Sequence, residues 1–284
     1  MTEDASSAER GVPLGPVDLQ NDQHRVGSDW PFYVGLIVLG GTYILLLVAM
    51  LAADLFYTTP EHMWAALAEP AIQYSLVLSL ISCSLTALLS IWVAVPIGYL
   101  MARHRFWGRD MLDAMLDIPI VLPPLVVGLS LLILFQFWPF RLAASSIVYQ
   151  IPAVILAQFM VACAFAVRTM RATFDHIDPR REQVALTLGC TRAQAFSAVV
   201  LPEAKRGIIT AATLAWARSL GEFGPILIFA GATRMKTEVL STTVFLELSI
   251  GDLEAAVAVS IVMVAAAVVV LVIARVAGSQ DVTY

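Results

Sequence analysis

The chain has 284 residues, of which 59% are hydrophobic and 14% are charged, and its formal net charge is -5. With a mean hydropathy of +0.81, this composition excludes an ordinary water-soluble domain, because one core cannot bury so much apolar surface. The slightly acidic balance argues against a nucleic-acid-binding protein. The composition therefore predicts a chain that buries much of its surface in lipid.

Polar segments flank a long apolar region. Residues 1–30 contain too few apolar side chains to fold alone, so we predict a flexible cytoplasmic tail there. Residues 31–277 are predicted to form one transmembrane domain, and residues 278–284 a second cytoplasmic tail.

Six apolar stretches in this domain are long enough to cross a bilayer, which takes about 20 helical residues. The sequence shows no series of short alternating strands, so helices are expected. We predict an all-α polytopic membrane protein with six transmembrane helices, at roughly residues 32–53, 73–102, 111–137, 149–171, 207–231 and 253–275.

The distribution of basic residues predicts the orientation of these helices. Loops rich in Lys and Arg stay in the cytoplasm. The second loop contributes Arg103, Arg105 and Arg109, and the fourth has seven basic residues: Arg168, Arg171, Arg180, Arg181, Arg192, Lys205 and Arg206. Both loops are therefore predicted to be cytoplasmic, which puts both termini on the cytoplasmic side.

The cytoplasmic stretch at about 178–206, called the 178–206 loop below, has a helix, glycine, helix pattern. Asp178 and Pro179 make a helix start, and Gly189 makes a helix stop. Thr191 and Gln194 then form a capping-box pattern before a second apolar face that Leu201 and Pro202 end. Such a patterned loop between apolar segments suggests a coupling device.

Prolines and glycines interrupt two of the predicted spans. Pro119, Pro123 and Pro124 prevent a regular third span, which would serve either as a packing kink or as a lining of the translocation path near Pro123, Pro124 and Gly128. In the fifth span, Gly221 and Gly224 would permit close helix approach.

The fifth span also places Arg218 and Glu222 four residues apart on one helical face. Charges within a membrane are tolerated when they are paired or wet. The pair would act either as a structural brace or as part of a gate. Because a carboxylate repels an anion, Glu222 is not expected to bind an anionic substrate.

A second charged feature is the outer segment at 232–252, where Arg234 and Lys236 lie near Glu238. It is either a solvated surface or a landing site for a binding protein.

Gly189, followed after nine residues by Val199 and then by Leu201 and Pro202, resembles the EAA loop of permease subunits in ABC importers. The usual glutamate and first alanine are replaced by Gln183 and Val184. The resemblance implies a type I importer permease fold and an ATPase-coupling role for eight residues: Glu182, Gln183, Ala185, Gly189, Phe196, Val199, Leu201 and Pro202.

The segment RSLGEFG, with LPP in an earlier span, is similar to the molybdate, tungstate and sulfate permeases of that family. The resemblance implies a pathway for a tetrahedral oxyanion across a bacterial or archaeal inner membrane. The implied partners are a cytoplasmic ATPase dimer, a second copy of the permease, an extracytoplasmic binding protein and membrane lipid. Alternatives are a permease for ferric iron, phosphate or thiamine, and a secondary transporter or channel.

No enzymatic motif accompanies these features. The sequence contains no P-loop, HExxH, GxSxG or CxxC pattern, and its three cysteines share no metal-ligand spacing. We expect a transport subunit with no cofactor and no metal, and ATP hydrolysis in a separate chain.

Overall fold

The computed structural model describes residues 29–279, and every regular element in that part of the chain is helical. The predicted tails at 1–30 and 278–284 lie outside the described residues, apart from two residues of each. The predicted all-α class is confirmed.

Four helices among the described residues are long and apolar enough to cross a membrane. They have mean hydropathies between 1.9 and 3.1 and exceed the length that a bilayer requires. These helices are α1 (Trp30–Tyr57), α3 (Pro70–Arg103), α7 (Ile151–His176) and α14 (Leu253–Ser279).

Contacts divide the chain into a first unit that ends at Ala52 and a second unit from Ala53 onward. The described part of the first unit is almost entirely α1, which has apolar residues all round, as a membrane span does. The second unit contains the remaining helices.

The third predicted span is divided at its prolines. Helix α4 (Arg109–Val121) and helix α5 (Pro124–Leu134) are bent by 111° at the intervening break. Pro123 precedes α5 with extended backbone, and Pro124 is its first residue, which needs no amide donor. The pair counts as a fifth span only if both halves are taken together.

The fifth predicted span is also divided. Helix α11 (Lys205–Leu220) ends at Gly221, and the short helix α12 (Gly224–Phe229) follows, with Pro225 in its first turn. The described residues therefore contain four continuous long helices in place of six, because prolines and glycines split the other two.

Helices α3, α7 and α11 form the centre of the second unit. Small residues bring α3 and α7 together, since a Cβ atom on Gly98 would lie 2.9 Å from the Met170 Cβ. Gln158 of α7 is buried between them and donates to the Ser219 carbonyl of α11 at 3.3 Å. This buried amide ties α7 to α11.

Shorter elements connect these helices. They are α2 (Pro60–Ala68), a 3₁₀ turn (Phe140–Ala143), α6 (Ala144–Ile147), α8 (Pro179–Thr187), α9 (Arg192–Ala195), a π-helical turn (Phe196–Val200), α10 (Leu201–Glu203) and α13 (Leu240–Ile250). Four of them build the 178–206 loop: α8, α9, the π-helical turn and α10.

Candidate functional site

The first half of the 178–206 loop is the short helix α8, whose ends follow the local sequence. The Asp178 carboxylate accepts a hydrogen bond from the Arg180 amide at 2.9 Å, and Pro179 is the first helical residue. Gly189 ends the turn with φ of +92°, a conformation that costs glycine little. The predicted start and stop of this helix agree with the structure.

The second half begins at the predicted capping box. The Gln194 amide donates to the Thr191 hydroxyl at 3.3 Å, and the Thr191 amide donates to the Gln194 side chain at 2.8 Å. A π-helical turn follows, in which the Leu201 amide donates to the Phe196 carbonyl. The predicted end at Leu201 and Pro202 differs from the structure, because Pro202 lies inside α10 and the chain continues helically into α11.

The wider turn explains how Pro202 is accommodated. Proline lacks an amide donor and its ring crowds the carbonyl four residues earlier, and π turns commonly absorb such irregularities in a helix. Residues from Phe196 to Leu220 are helical apart from a turn at Ala204.

Helix α8 has two distinct faces. Gln183, Val184, Thr187 and Leu188 are exposed, and the Leu188 side chain is 80% exposed. Ala185 is buried and Glu182 is half-buried on the opposite side. The loop therefore presents an outward face that includes two uncovered apolar side chains, while two of its predicted docking residues point inward.

Glu182 contacts the C-terminal end of α3. The Tyr99 hydroxyl donates to one carboxylate oxygen of Glu182, and the Arg103 Nε lies 3.5 Å from the other. These partners are far from Glu182 in sequence, so the loop pattern alone does not predict them.

The two broken spans meet at their breaks. A Cβ atom on Gly224 would lie 2.9 Å from the Pro124 Cβ, and a Cβ atom on Gly128 would lie 2.7 Å from the Pro225 Cα. Helices α5 and α12 therefore begin side by side and run in the same direction. Three predicted pathway residues, Pro124, Gly128 and Gly224, are brought together here. A Cβ atom on Gly221 would have no neighbour within 4 Å.

Arg218 in α11 and Glu222, two residues after the end of α11, form the predicted pair. Arg218 Nη1 lies 2.6 Å from Glu222 Oε2. The Glu222 side chain is 2% exposed, whereas that of Arg218 is 30% exposed and lies over the Phe165 ring at 5.7 Å. The Ser241 hydroxyl donates to the Glu222 carbonyl at 2.7 Å. The guanidinium thus lies between a buried carboxylate and accessible space.

A charged network that the sequence does not predict joins α4 and α7. Arg168 Nε donates to Asp117 at 2.6 Å, and Arg168 Nη1 lies 3.4 Å from Asp113. Arg171 also donates to Asp113. In the sequence, both arginines indicate only on which side of the membrane their loop lies. Their pairing is not predictable, because the acidic partners in α4 lie more than 50 residues away. The network joins the first half of the bent span to α7.

The predicted outer segment is partly buried. Arg234 Nη2 lies 2.6 Å from Glu247, and Arg234 Nη1 lies 3.3 Å from Glu69. Glu238 is fully buried, and burial raises the pKa of its carboxyl, with the Thr243 hydroxyl and Arg234 opposing that effect. The segment is therefore more than a solvated surface.

Most of the chain matches a known protein family. Residues 94–279 match the family described as "Binding-protein-dependent transport system inner membrane component". The matched stretch contains the 178–206 loop, both broken spans and the Arg218–Glu222 pair.

Several named proteins are similar to this chain. The sulfate transport system permease protein CysT of Escherichia coli is 33% identical over 253 residues, covering 87% of this chain and 91% of its own. The molybdenum transport system permease protein ModB of Mycobacterium tuberculosis is 32% identical over 250 residues, covering 86% and 93%. The molybdate/tungstate transport system permease protein WtpB of Pyrococcus abyssi is 36% identical over 162 residues, covering 57% and 62%.

A solved structure has the same fold. The crystal structure of a bacterial alginate ABC transporter in complex with an alginate pentasaccharide-bound periplasmic protein contains a chain that matches with a TM-score of 0.73 and 17% identity, covering 90% of this chain and 96% of that one. At this identity the similarity establishes the type I importer permease fold and no more.

Proposed function

Since this chain belongs to the family of inner membrane components of binding-protein-dependent transport systems, we propose that it forms the pathway of an ATP-driven importer for a tetrahedral oxyanion. Molybdate or tungstate is the first candidate, and sulfate is the next. The chain is a multi-pass membrane permease subunit that works with an ATPase and a substrate-binding protein. The oxyanion class is supported by relatives named for sulfate, molybdate and tungstate transport.

Import of a dianion requires an energy source. Moving one negative charge against an interior-negative potential costs about 2.3 kcal/mol per 100 mV, or about 4.6 kcal/mol for two charges. The 284 residues contain no P-loop, so ATP hydrolysis belongs to the partner ATPase. The permease then alternates between outward-open and inward-open states that the ATPase switches.

The observation that carries this proposal is the exposed face of α8. Val184 is 56% exposed and Leu188 is 80% exposed, and apolar side chains presented together on a rigid loop are typical of a docking site. Gln183 and Thr187 add polar groups to the same face. The ATPase is expected to cover this face, and Gly189 is expected to fix the angle between α8 and α9.

The broken spans are the proposed pathway elements. Irregular backbone at membrane depth is tolerated where protein or a water-filled cavity satisfies it. Pro123, Pro124, Gly128, Gly221 and Gly224 belong to the two breaks. Arg218 is part-exposed beside them, so its charge faces accessible space, while Glu222 holds it in place and stays out of anion contact.

Two copies of the chain are expected in the complete importer. Each chain has one 178–206 loop, whereas ATPases of the resembled type work as dimers. A two-fold homodimer with the pathway at its axis gives each ATPase one loop and is the commonest closed assembly. Both termini are expected to face the cytoplasm, as the distribution of basic residues predicts.

Uptake measurements test the substrate class. Labelled molybdate, tungstate and sulfate are given to cells with and without this gene, each in competition with the other two. Loss of ATP-dependent uptake of one anion in the deletion, restored by the wild-type gene, is expected. Unchanged uptake of all three anions would overturn the oxyanion assignment and favour a permease for another solute.

A further inference from the structure

Glu182 points away from the proposed ATPase-docking face. Its side chain is 13% exposed, whereas the next two residues, Gln183 and Val184, are exposed. One helical residue turns a side chain by about 100°, so neighbouring positions face different surroundings. Glu182 is directed toward α3.

Two side chains of α3 hold the Glu182 carboxylate. The Tyr99 hydroxyl donates to one oxygen, and Arg103 Nε lies 3.5 Å from the other. Arg103 is 9% exposed, and its Nη2 donates to the Ile177 carbonyl at 2.8 Å. Arg103 therefore contacts both α8 and the turn that leads into it.

The same end of α3 contacts the second half of the loop through aromatic rings. The Tyr99 ring centroid lies 4.7 Å from that of Phe196 and 5.7 Å from that of Phe174. Tyr99 of α3 thus contacts α8, the π-helical turn and α7 at the same time. Aromatic packing of this kind is short-range and directional, so movement of the loop displaces α3 unless these contacts break.

We propose that Glu182 is a positioning residue that transmits movement of the docked loop to α3, through Tyr99 and Arg103. The inference rests on the proposed function, because it presupposes that an ATPase moves the loop. Helix α3 packs along α7 and α11, and α11 carries Arg218, whose partner Glu222 follows the end of that helix. A displacement of α3 therefore reaches the broken spans through continuous packing.

The proposal predicts that Glu182 affects transmission more than docking. Coupling between the loop and α3 has to be measured, since contact alone is only a spatial relationship. The matched variants are Glu182→Gln and Glu203→Gln. Glu203 lies in the same loop and pairs with Arg181 at 2.7 Å, so its variant removes a similar charge whose partner is inside the loop.

The experiment uses the full chain with its ATPase in lipid nanodiscs. Hydrogen exchange of α8 and of residues 96–103 in α3 is compared with and without a non-hydrolysable ATP analogue. In the wild type and in Glu203→Gln, the analogue is expected to change exchange in both regions. In Glu182→Gln the change in α8 is expected to remain, while the change in α3 falls severalfold.

Transport supplies the second readout. Proteoliposomes containing the binding protein are used to measure uptake and ATP hydrolysis together, and the uptake per ATP is expected to fall about fivefold or more in Glu182→Gln. Tyr99→Phe keeps the ring contacts and removes only the hydroxyl, so it is expected to lower the same ratio and to add little to Glu182→Gln.

The outcomes separate the two proposals. If Glu182→Gln weakens retention of the ATPase and leaves the exchange change in α3 intact, Glu182 contacts the partner and the transmission role is overturned. Identical behaviour of Glu182→Gln and Glu203→Gln would also overturn it. Failure of the wild type to transport any oxyanion would overturn the substrate assignment alone, because the exchange measurement needs only the ATPase and the nucleotide analogue.

Discussion

Gly128 and Pro225 lie so close that a Cβ atom at residue 128 would be 2.7 Å from the Pro225 Cα. The neighbouring contact of Gly224 with Pro124 is similarly tight, at 2.9 Å. Each broken span thus supplies one glycine and one proline to the other. The backbones of α5 and α12 approach closely there because Gly128 and Gly224 have no side chains.

Gly128→Ala is expected to destabilise the protein by about 1–3 kcal/mol, because the added methyl group overpacks a contact with backbone atoms. Thermal unfolding of the detergent-purified protein measures this effect. Gly221→Ala is the matched control, since nothing lies within 4 Å of its position. Equal stability of the two variants would contradict the tight α5–α12 contact.

Gly189→Val is expected to strain the 178–206 loop by about 1–2 kcal/mol, because β-branched residues avoid the left-handed conformation that Gly189 adopts. The proposed docking face would be displaced, so co-purification of the ATPase is expected to fall. Gly189→Asn should retain more binding, since asparagine tolerates this conformation.

The control for that effect is Gly108→Val. Gly108 also has a positive φ, of +90°, but it lies outside the 178–206 loop. Its substitution introduces comparable backbone strain and should leave ATPase binding intact. Loss of binding in both variants would indicate general misfolding.

Local structure was predictable from sequence at the loop, whereas the side-chain contacts were not. Asp178, Thr191 and Gly189 act on their own neighbours, so their patterns predicted the two helices. The EAA-loop resemblance assigns Glu182 to the ATPase-coupling residues, and Glu182 lies three positions before the buried Ala185. That spacing places both on one helical face and could have indicated that Glu182 points inward.

The membrane breaks show the same limit. Pro123 and Pro124 predicted where the third span would be interrupted, because proline removes a backbone donor whatever surrounds it. No local rule identifies Pro225 as the neighbour of Gly128, since they are nearly a hundred residues apart. The pairing of Asp113 with Arg171 was missed for the same reason.

Arg218→Ala is expected to cost about 3 kcal/mol of stability, because it leaves the buried Glu222 carboxylate without its cation. The double variant Arg218→Ala with Glu222→Gln should be more stable than Arg218→Ala alone. Unfolding measurements on the two single variants, the double variant and the wild type form the required cycle. Simple additivity of the two changes would argue against the pair.

Asp113→Asn is expected to lower stability by about 1 kcal/mol, because Asp113 faces both Arg168 and Arg171 between α4 and α7. Asp175→Asn is the control. Asp175 lies 3.9 Å from Arg171 within α7 itself and is 47% exposed, so its loss should have little effect. Equal losses in thermal unfolding would show that the network does not join the two helices.

Glu238 should make stability depend on pH. The Glu238 side chain is fully buried, and burial raises its pKa above the ordinary value of 4.5. The folded state therefore binds a proton at Glu238 more readily than the unfolded state does. The stability that this proton contributes is fully present below pH 4.5 and is lost as the pH rises through the folded pKa.

Glu238→Gln is expected to raise the melting temperature at neutral pH and to flatten its pH dependence. The control is Glu69→Gln, which changes an exposed partner of Arg234 and should leave the pH dependence of the melting temperature in place. A wild-type melting temperature that rises with pH above 4.5, by an amount that Glu238→Gln removes, would show the opposite sign and contradict this account of the carboxyl.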